Sequence, residues 1–153
     1  MTDEVTLQWS TPQSGIAALY GGGAVLAIAG VLIPTELSGQ VLVLLGAAGL
    51  VFIATFALRQ RPRLAVLPGD SGIECVRISG RRVFTKEQIE RIRVVKYPRL
   101  GRRVPMLEID VLDGDYERLL IFGRWDLGER PQTVFDALAV HGLVPPDGAV
   151  SAD

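Results

Sequence analysis

Residues 15–58 read GIAALYGGGAVLAIAGVLIPTELSGQVLVLLGAAGLVFIATFAL, and their one charged side chain is Glu36. Residues 15–33 carry no polar side chain apart from Tyr20. As a helix rising about 1.5 Å per residue this run extends about 28 Å, close to the hydrocarbon thickness of a bilayer. Residues 37–58 form a second run, interrupted by Ser38, Gln40 and Thr55. Between the two, Pro34 stops the first helix and Glu36 favours water. The break is too short to hold a domain. The stretch therefore predicts a transmembrane helical hairpin over residues 15–33 and 37–58, preceded by a tail over residues 1–14. Helices of a soluble domain keep one face for water, and the rest of a 153-residue chain is too small to bury two helices that are apolar all round.

The flanking charges orient the hairpin. All sixteen Lys and Arg residues follow Leu58, a segregation that the net charge of −1 conceals. Arg59, Arg61 and Arg63 directly follow the second run, and the connecting turn has no basic residue, so the positive-inside rule predicts a cytoplasmic C-terminal side. Two crossings return the N-terminus to the same side. The expected location is the plasma membrane, with both termini cytoplasmic. A cleaved signal sequence would open on basic residues and carry a shorter apolar core; this N-terminus has Asp3 and Glu4 and no cation. Trp9 stands either as a headgroup anchor or as part of the tail.

Small residues recur in both runs. Ala18/Gly22 and Gly23/Ala27 have the small-xxx-small spacing that lets helix backbones approach. Gly22, Gly23 and Ala27, with Gly46 and Gly49 of the second run, are the expected packing positions, either within the hairpin or against a partner helix. Gly21-Gly22-Gly23 is no phosphate loop, because no strand precedes it and no Lys-Ser/Thr follows.

After the arginines, short apolar stretches alternate with turn signals. Residues 64–67, 73–78, 82–84, 89–97, 105–112 and 116–122 read as strands. Ile92 and Val94, and Leu107, Ile109 and Val111, alternate with polar neighbours at the period of a half-buried strand. Asp113-Gly114 between two such runs signals a hairpin. Pro131 opens an amphipathic helix on which Val134, Phe135 and Leu138 share a face, and Gly142 offers its left-handed cap, with Leu143 at the apolar contact of a Schellman motif. Residues 145–153 read as a disordered tail.

About six strands closed by one C-terminal helix is an α+β plan. Residues 63–144 resemble the pleckstrin-homology (PH) domain of small bacterial membrane proteins in which two helices precede that domain. The resemblance rests on residues 82–94 (RVFTKEQIERIRV), 99–105 (RLGRRVP) and 122–128 (FGRWDLG). It implies a PH-like barrel or sandwich capped by the final helix. Eukaryotic phosphoinositide binders place cations around the first strand-to-strand loop. Here the corresponding loop, residues 68–72, holds Asp70 and no cation, which argues against stereospecific inositol-phosphate recognition.

Charge divides sharply within this domain. From Arg81 to Arg103 nine basic residues face Glu87 and Glu90, a net of +7, and from Val104 onward three basic residues face ten acidic ones. Two readings follow. Either a basic face meets anionic headgroups, each cation being worth about 1 kcal/mol near the surface, or the two segments pair as neighbouring strands. Arg99, Arg102 and Arg103, punctuated by Pro98, Gly101 and Pro105, are expected to project from a connection between strands. With Arg81 and Arg82 they are the candidate lipid- or partner-binding residues.

Other chemistry finds little support. The domain from Arg59 onward totals only +2, which argues against nucleic acid. The acidic run from Asp110 to Glu117 lacks EF-hand spacing and reads as a hairpin turn. Cys75 reads as a small buried hydrophobe, and His141 is the single histidine. No nucleophile elbow, zinc motif or dinucleotide fingerprint is present, so no enzyme, cofactor or small-molecule substrate is expected. Arginine far outnumbers lysine and Ala, Val and Gly abound, a composition typical of a high-GC bacterium. The expected function is a membrane-anchored PH-like interaction module for membrane lipids, a membrane protein partner or a second copy. The alternative is an accessory subunit of a larger membrane complex.

Overall fold

The computed structural model describes residues 7–33 and 36–146, which divide into a mixed α/β domain and a helical pair. In chain order the elements are β1 (Gln8–Trp9), α1 (Gln13–Leu32), α2 (Leu37–Arg59), β2 (Leu64–Val66), β3 (Gly72–Arg77), β4 (Gly80–Thr85), β5 (Ile89–Arg99), β6 (Arg102–Asp113), β7 (Tyr116–Phe122), α3 (Arg124–Leu127) and α4 (Pro131–Val140). Residues 1–6, most of the expected N-terminal tail, and residues 147–153 of the expected C-terminal tail lie outside the described residues.

The domain is built from two antiparallel sheets, β1-β2-β3-β4 and β5-β6-β7. The six expected strands are all present, joined by a seventh that the sequence did not announce. Gln8 pairs with Ala65 and Trp9 with Leu64. The Val66 N–H donates to the Leu7 carbonyl at 2.8 Å and the Arg63 N–H to that of Trp9 at 2.9 Å. Leu7 and Trp9 pack against the core. This part of the expected tail is thus an edge strand, and the helical pair is inserted between the first two strands of a sheet.

The alternating residues of β3 to β7 send Ile73, Phe84, Ile92, Leu107, Ile109 and Leu120 inward to no more than 2% exposure. α4 closes this core with Val134 and Leu138, both fully buried. Its end is the Schellman motif expected at Gly142: the Leu143 N–H reaches the Leu138 carbonyl at 3.0 Å and the Gly142 N–H that of Ala139 at 2.9 Å. Cys75 is buried, and burial pushes its thiol pKa up, so it behaves as the small hydrophobe expected.

α1 and α2 are each long and apolar enough to cross a membrane. They pack through small residues. A Cβ added at Gly23 would meet Val51 Cγ2 at 2.9 Å, and one at Gly30 would meet Val43 and Leu44 at 3.2 Å. Gly22 lies against Leu50, and Ala27 is half-buried. The Thr55 hydroxyl donates to the Val51 carbonyl at 2.8 Å, so the Tyr20 hydroxyl, 2.8 Å from Thr55 Oγ1, must be the donor to it. Gly46 and Gly49 take no part in packing within the hairpin, for both are exposed with no atom near an added Cβ, which leaves the partner-helix alternative for them. The contact face of α2 runs through Ala47, Leu50 and Ala54. Gly46 and Gly49 each precede a contact residue by one position, a rotation of about 100° around the helix.

Candidate interaction surface

The basic segment spans β4, β5 and the start of β6, and register decides what each cation meets. In the first sheet Arg81 reaches Glu74 at 2.5 Å. Arg82 reaches Asp113 at 2.6 Å, and Arg118 joins the same carboxylate at 2.7 Å. In the second sheet Arg93 stands opposite Glu108, and its Nε donates to Glu108 Oε2 at 2.6 Å. Glu108 is only 2% exposed, and its other oxygen accepts from the Tyr97 hydroxyl. This bond raises the Tyr97 pKa, because the proton serves the carboxylate. Arg91 faces Asp110. Arg81 and Arg82, expected to face a ligand, therefore already hold carboxylates of the domain.

The pattern inverts at the far end of the β5–β6 ladder. Arg99 faces Arg102, and Arg103 faces Pro98. Neither these three arginines nor Leu100 has an ion pair or side-chain hydrogen bond among the described residues. This corrects the expectation that they lie in a loop, since all three belong to paired strands. Pro98 is tolerated because β5 is an edge strand, and Pro105 because β7 ends opposite Leu107, leaving β6 with one neighbour beyond that point. The turn itself is Leu100 (φ 46) and Gly101 (φ 76), the two left-handed residues of a type I′ hairpin. Leucine in that conformation costs about 1–2 kcal/mol. Leu100 nevertheless sits there fully exposed.

Topology gives this tip a definite place in the domain. Strands β1 to β4 follow one another antiparallel, so the connection that carries the helical pair and the β3–β4 turn at Ile78-Ser79 share one end. A groove at that end is lined by Arg63, Arg77 and Ile78, by Ile121 and Phe122 at the close of β7, and by Asp126 of α3. β7 runs toward the same side as β5, so the tip points from the groove side of its sheet. The tip extends about five residues, or about 16 Å, beyond the end of β7. Arg63 and Asp126 are joined here at 2.8 Å, and Asp126 also accepts from the Gly123 N–H at 3.0 Å, capping α3.

Of the arginines expected to set topology, Arg59 lies in the last turn of α2, Arg61 follows it, and Arg63 has become part of the domain. The opposite end carries the acidic loop: Asp70 lies 2.7 Å from Nδ1 of His141, beside the end of α4. The turn at residues 113–116 is a plain hairpin, with Asp113 opposite Tyr116, and no metal-binding cluster occurs among the described residues. Sequence reasoning missed the exposed Leu100 of this turn, whose signal was an apolar residue set among arginines before a glycine. It also missed the pairing of Arg63 with Asp126, which no local pattern records.

This arrangement of sheets of three and four strands with a closing helix agrees with a direct comparison, in which the bacterial PH domain family matches residues 61–143. The chain belongs to that family. Two uncharacterized proteins, from two strains of Mycobacterium tuberculosis, are 40% identical over 134 residues, covering 88% of this chain and 92% of each relative. No solved structure matches. Bacterial PH domains of this plan are interaction modules and are generally non-catalytic. In this one the helical pair precedes the matched segment, and β1 lies outside it.

Proposed function

We propose that this bacterial PH domain is a membrane-anchored interaction module whose β5–β6 tip engages anionic lipid headgroups at the cytoplasmic face of the plasma membrane. The observation that carries the reading is the tip itself. Directly opposed like charges destabilise an antiparallel pair, and a fully exposed leucine at positive φ adds strain. Neither feature is repaid by a contact among the described residues. Both make sense against an anionic interface, where arginines meet phosphate and the leucine enters the apolar boundary.

Anchoring is supported by α1 and α2, whose length and composition suit a bilayer. The cytoplasmic side is supported by Arg59, Arg61 and Arg63. The pairing of β1 with β2 supports two crossings, because both ends of the helical pair must return to one sheet. With Cys75 buried as a silent background, cysteine at Glu36 should react with impermeant reagents from outside intact cells and cysteine at Tyr116 should not. The reverse pattern would overturn the topology.

Lipid engagement is tested on the full chain in nanodiscs with Leu100→Cys carrying an environment-sensitive fluorophore. Emission should shift to the blue in discs containing phosphatidylglycerol and much less in phosphatidylcholine discs. The shift should shrink at high salt, where the Debye length falls from about 10 Å at 0.1 M to about 3 Å at 1 M. Equal emission in both discs would refute the role. A second reading, an accessory subunit of a larger membrane complex, draws on Gly46 and Gly49, which leave an open small-residue face on α2. A partner copurifying at constant ratio in gentle detergent would favour it.

A further inference from the structure

The groove beside β7 has features that its structural role does not use. Its volume is about 460 Å³, within the range of small-ligand pockets. Its floor is apolar, with Ile121 at the edge of the second sheet and Ile78 at the rim, the latter 80% exposed. Its cations are Arg63 and Arg77. Arg77 has no carboxylate partner among the described residues. Arg63 meets Asp126 through a single nitrogen, and its buried Nε has no acceptor. Asp126 is itself fixed by the Gly123 N–H, so it holds the Arg63 guanidinium in place without saturating its five donors.

We propose that this groove binds one anionic phospholipid, its phosphate between Arg63 and Arg77 and the start of its chains on Ile78 and Ile121. The proposal rests on the reading that the domain lies at an anionic membrane, but it concerns a different site from the hairpin tip. Three observations select the ligand. Guanidinium groups favour phosphate because their planar donors match its oxygens. The apolar floor calls for a ligand with a hydrocarbon portion. The chain leaves the domain after Ser10 and re-enters it at Pro62, next to Arg63, so the groove includes the residue at which the connection from the two apolar helices rejoins the domain. Asp126 acts here as a positioning residue that neutralises Arg63, and Arg77 supplies the net positive charge of the groove.

The test uses the full chain in non-ionic detergent and native mass spectrometry with added single-chain phosphatidylglycerol. The parent should retain one equivalent and hold single-chain phosphatidylcholine much more weakly. Arg77→Ala removes an exposed, unpaired side chain and should leave melting unchanged while weakening retention about tenfold, the effect of one charge-assisted hydrogen bond. Ile78→Ser should weaken it too. The combined Arg99→Ala, Arg102→Ala, Arg103→Ala variant should retain the lipid as the parent does, which separates this site from the tip. Equal retention by Arg77→Ala and the parent would overturn the proposal, as would equal retention of the two lipids. Displacement by glycerophosphate as effective as by the lipid would show a free-phosphate site and overturn it as well.

Discussion

Arg93 and Arg99 lie on one strand, six residues apart and facing the same partner strand, yet they meet opposite fates. Arg93 stands across from Glu108 and joins it with Tyr97 around a buried carboxylate. Arg99 stands across from Arg102. The lesson is that a count of charges assigns no role to any one of them. The hairpin turn sets the register, and the register decides which arginines close the domain and which remain available to something outside it. Strand pairing accounts for the base of the basic segment, and the tip is left without a carboxylate partner among the described residues.

The base of the ladder should give the largest response. Arg93→Ala strands the Glu108 carboxylate in a site 2% exposed and should lower stability by about 3 kcal/mol, read from the melting of the full chain in detergent. Adding Glu108→Gln should restore part of that loss. If the single variant melts with the parent, the contrast between base and tip collapses. Arg82→Ala, which breaks a half-exposed pair with Asp113, should cost no more than about 1 kcal/mol.

At the tip the sign should reverse. Arg102→Glu places opposite charges across from each other with Arg99 and should stabilise the hairpin by about 0.5 kcal/mol, while the Leu100 probe loses most of its blue shift in anionic discs. A loss of stability would show that the tip is held by contacts its geometry does not reveal.

The smallest effect is on pH dependence. The bond to Glu108 raises the Tyr97 pKa, so the folded chain keeps this proton to higher pH than the unfolded chain does. The stability from the bond is therefore complete below the ordinary tyrosine value of about 10 and declines as pH rises through the higher folded value. Between pH 8 and pH 11 the parent should lose more thermal stability than Tyr97→Phe. An identical loss in both would remove Tyr97 from the account.

Most of the fold was legible because its signals are local. The apolar runs, the period-2 strands, the Asp113-Gly114 turn and the Gly142 cap each declare themselves within a few residues. What escaped is non-local or depends on neighbours. Two residues, Gln8 and Trp9, carry too little alternation to mark a strand, and their partners lie beyond both helices. Pro98 and Pro105 argued for a loop because proline breaks a ladder, but they occupy stretches where each strand has only one neighbour. Gly46 and Gly49 looked like packing positions because small-residue spacing shows that a helix has a close-approach face without showing which face its partner takes. Arg81 and Arg82 could not be distinguished from Arg99 and Arg102 before the carboxylates opposite them were known.

The strand ahead of the helices also bears on how the protein is made. Gln8 and Trp9 leave the ribosome about fifty residues before Leu64 and Ala65, so on the proposed two-crossing topology they wait unpaired during synthesis while both helices enter the bilayer. If one helix fails to cross, the waiting strand and its partner end on opposite sides and the first sheet is left with three strands. Completion of the sheet thus reports on insertion, and a chain threaded the wrong way would carry an uncovered β2 edge that proteolysis can recognise.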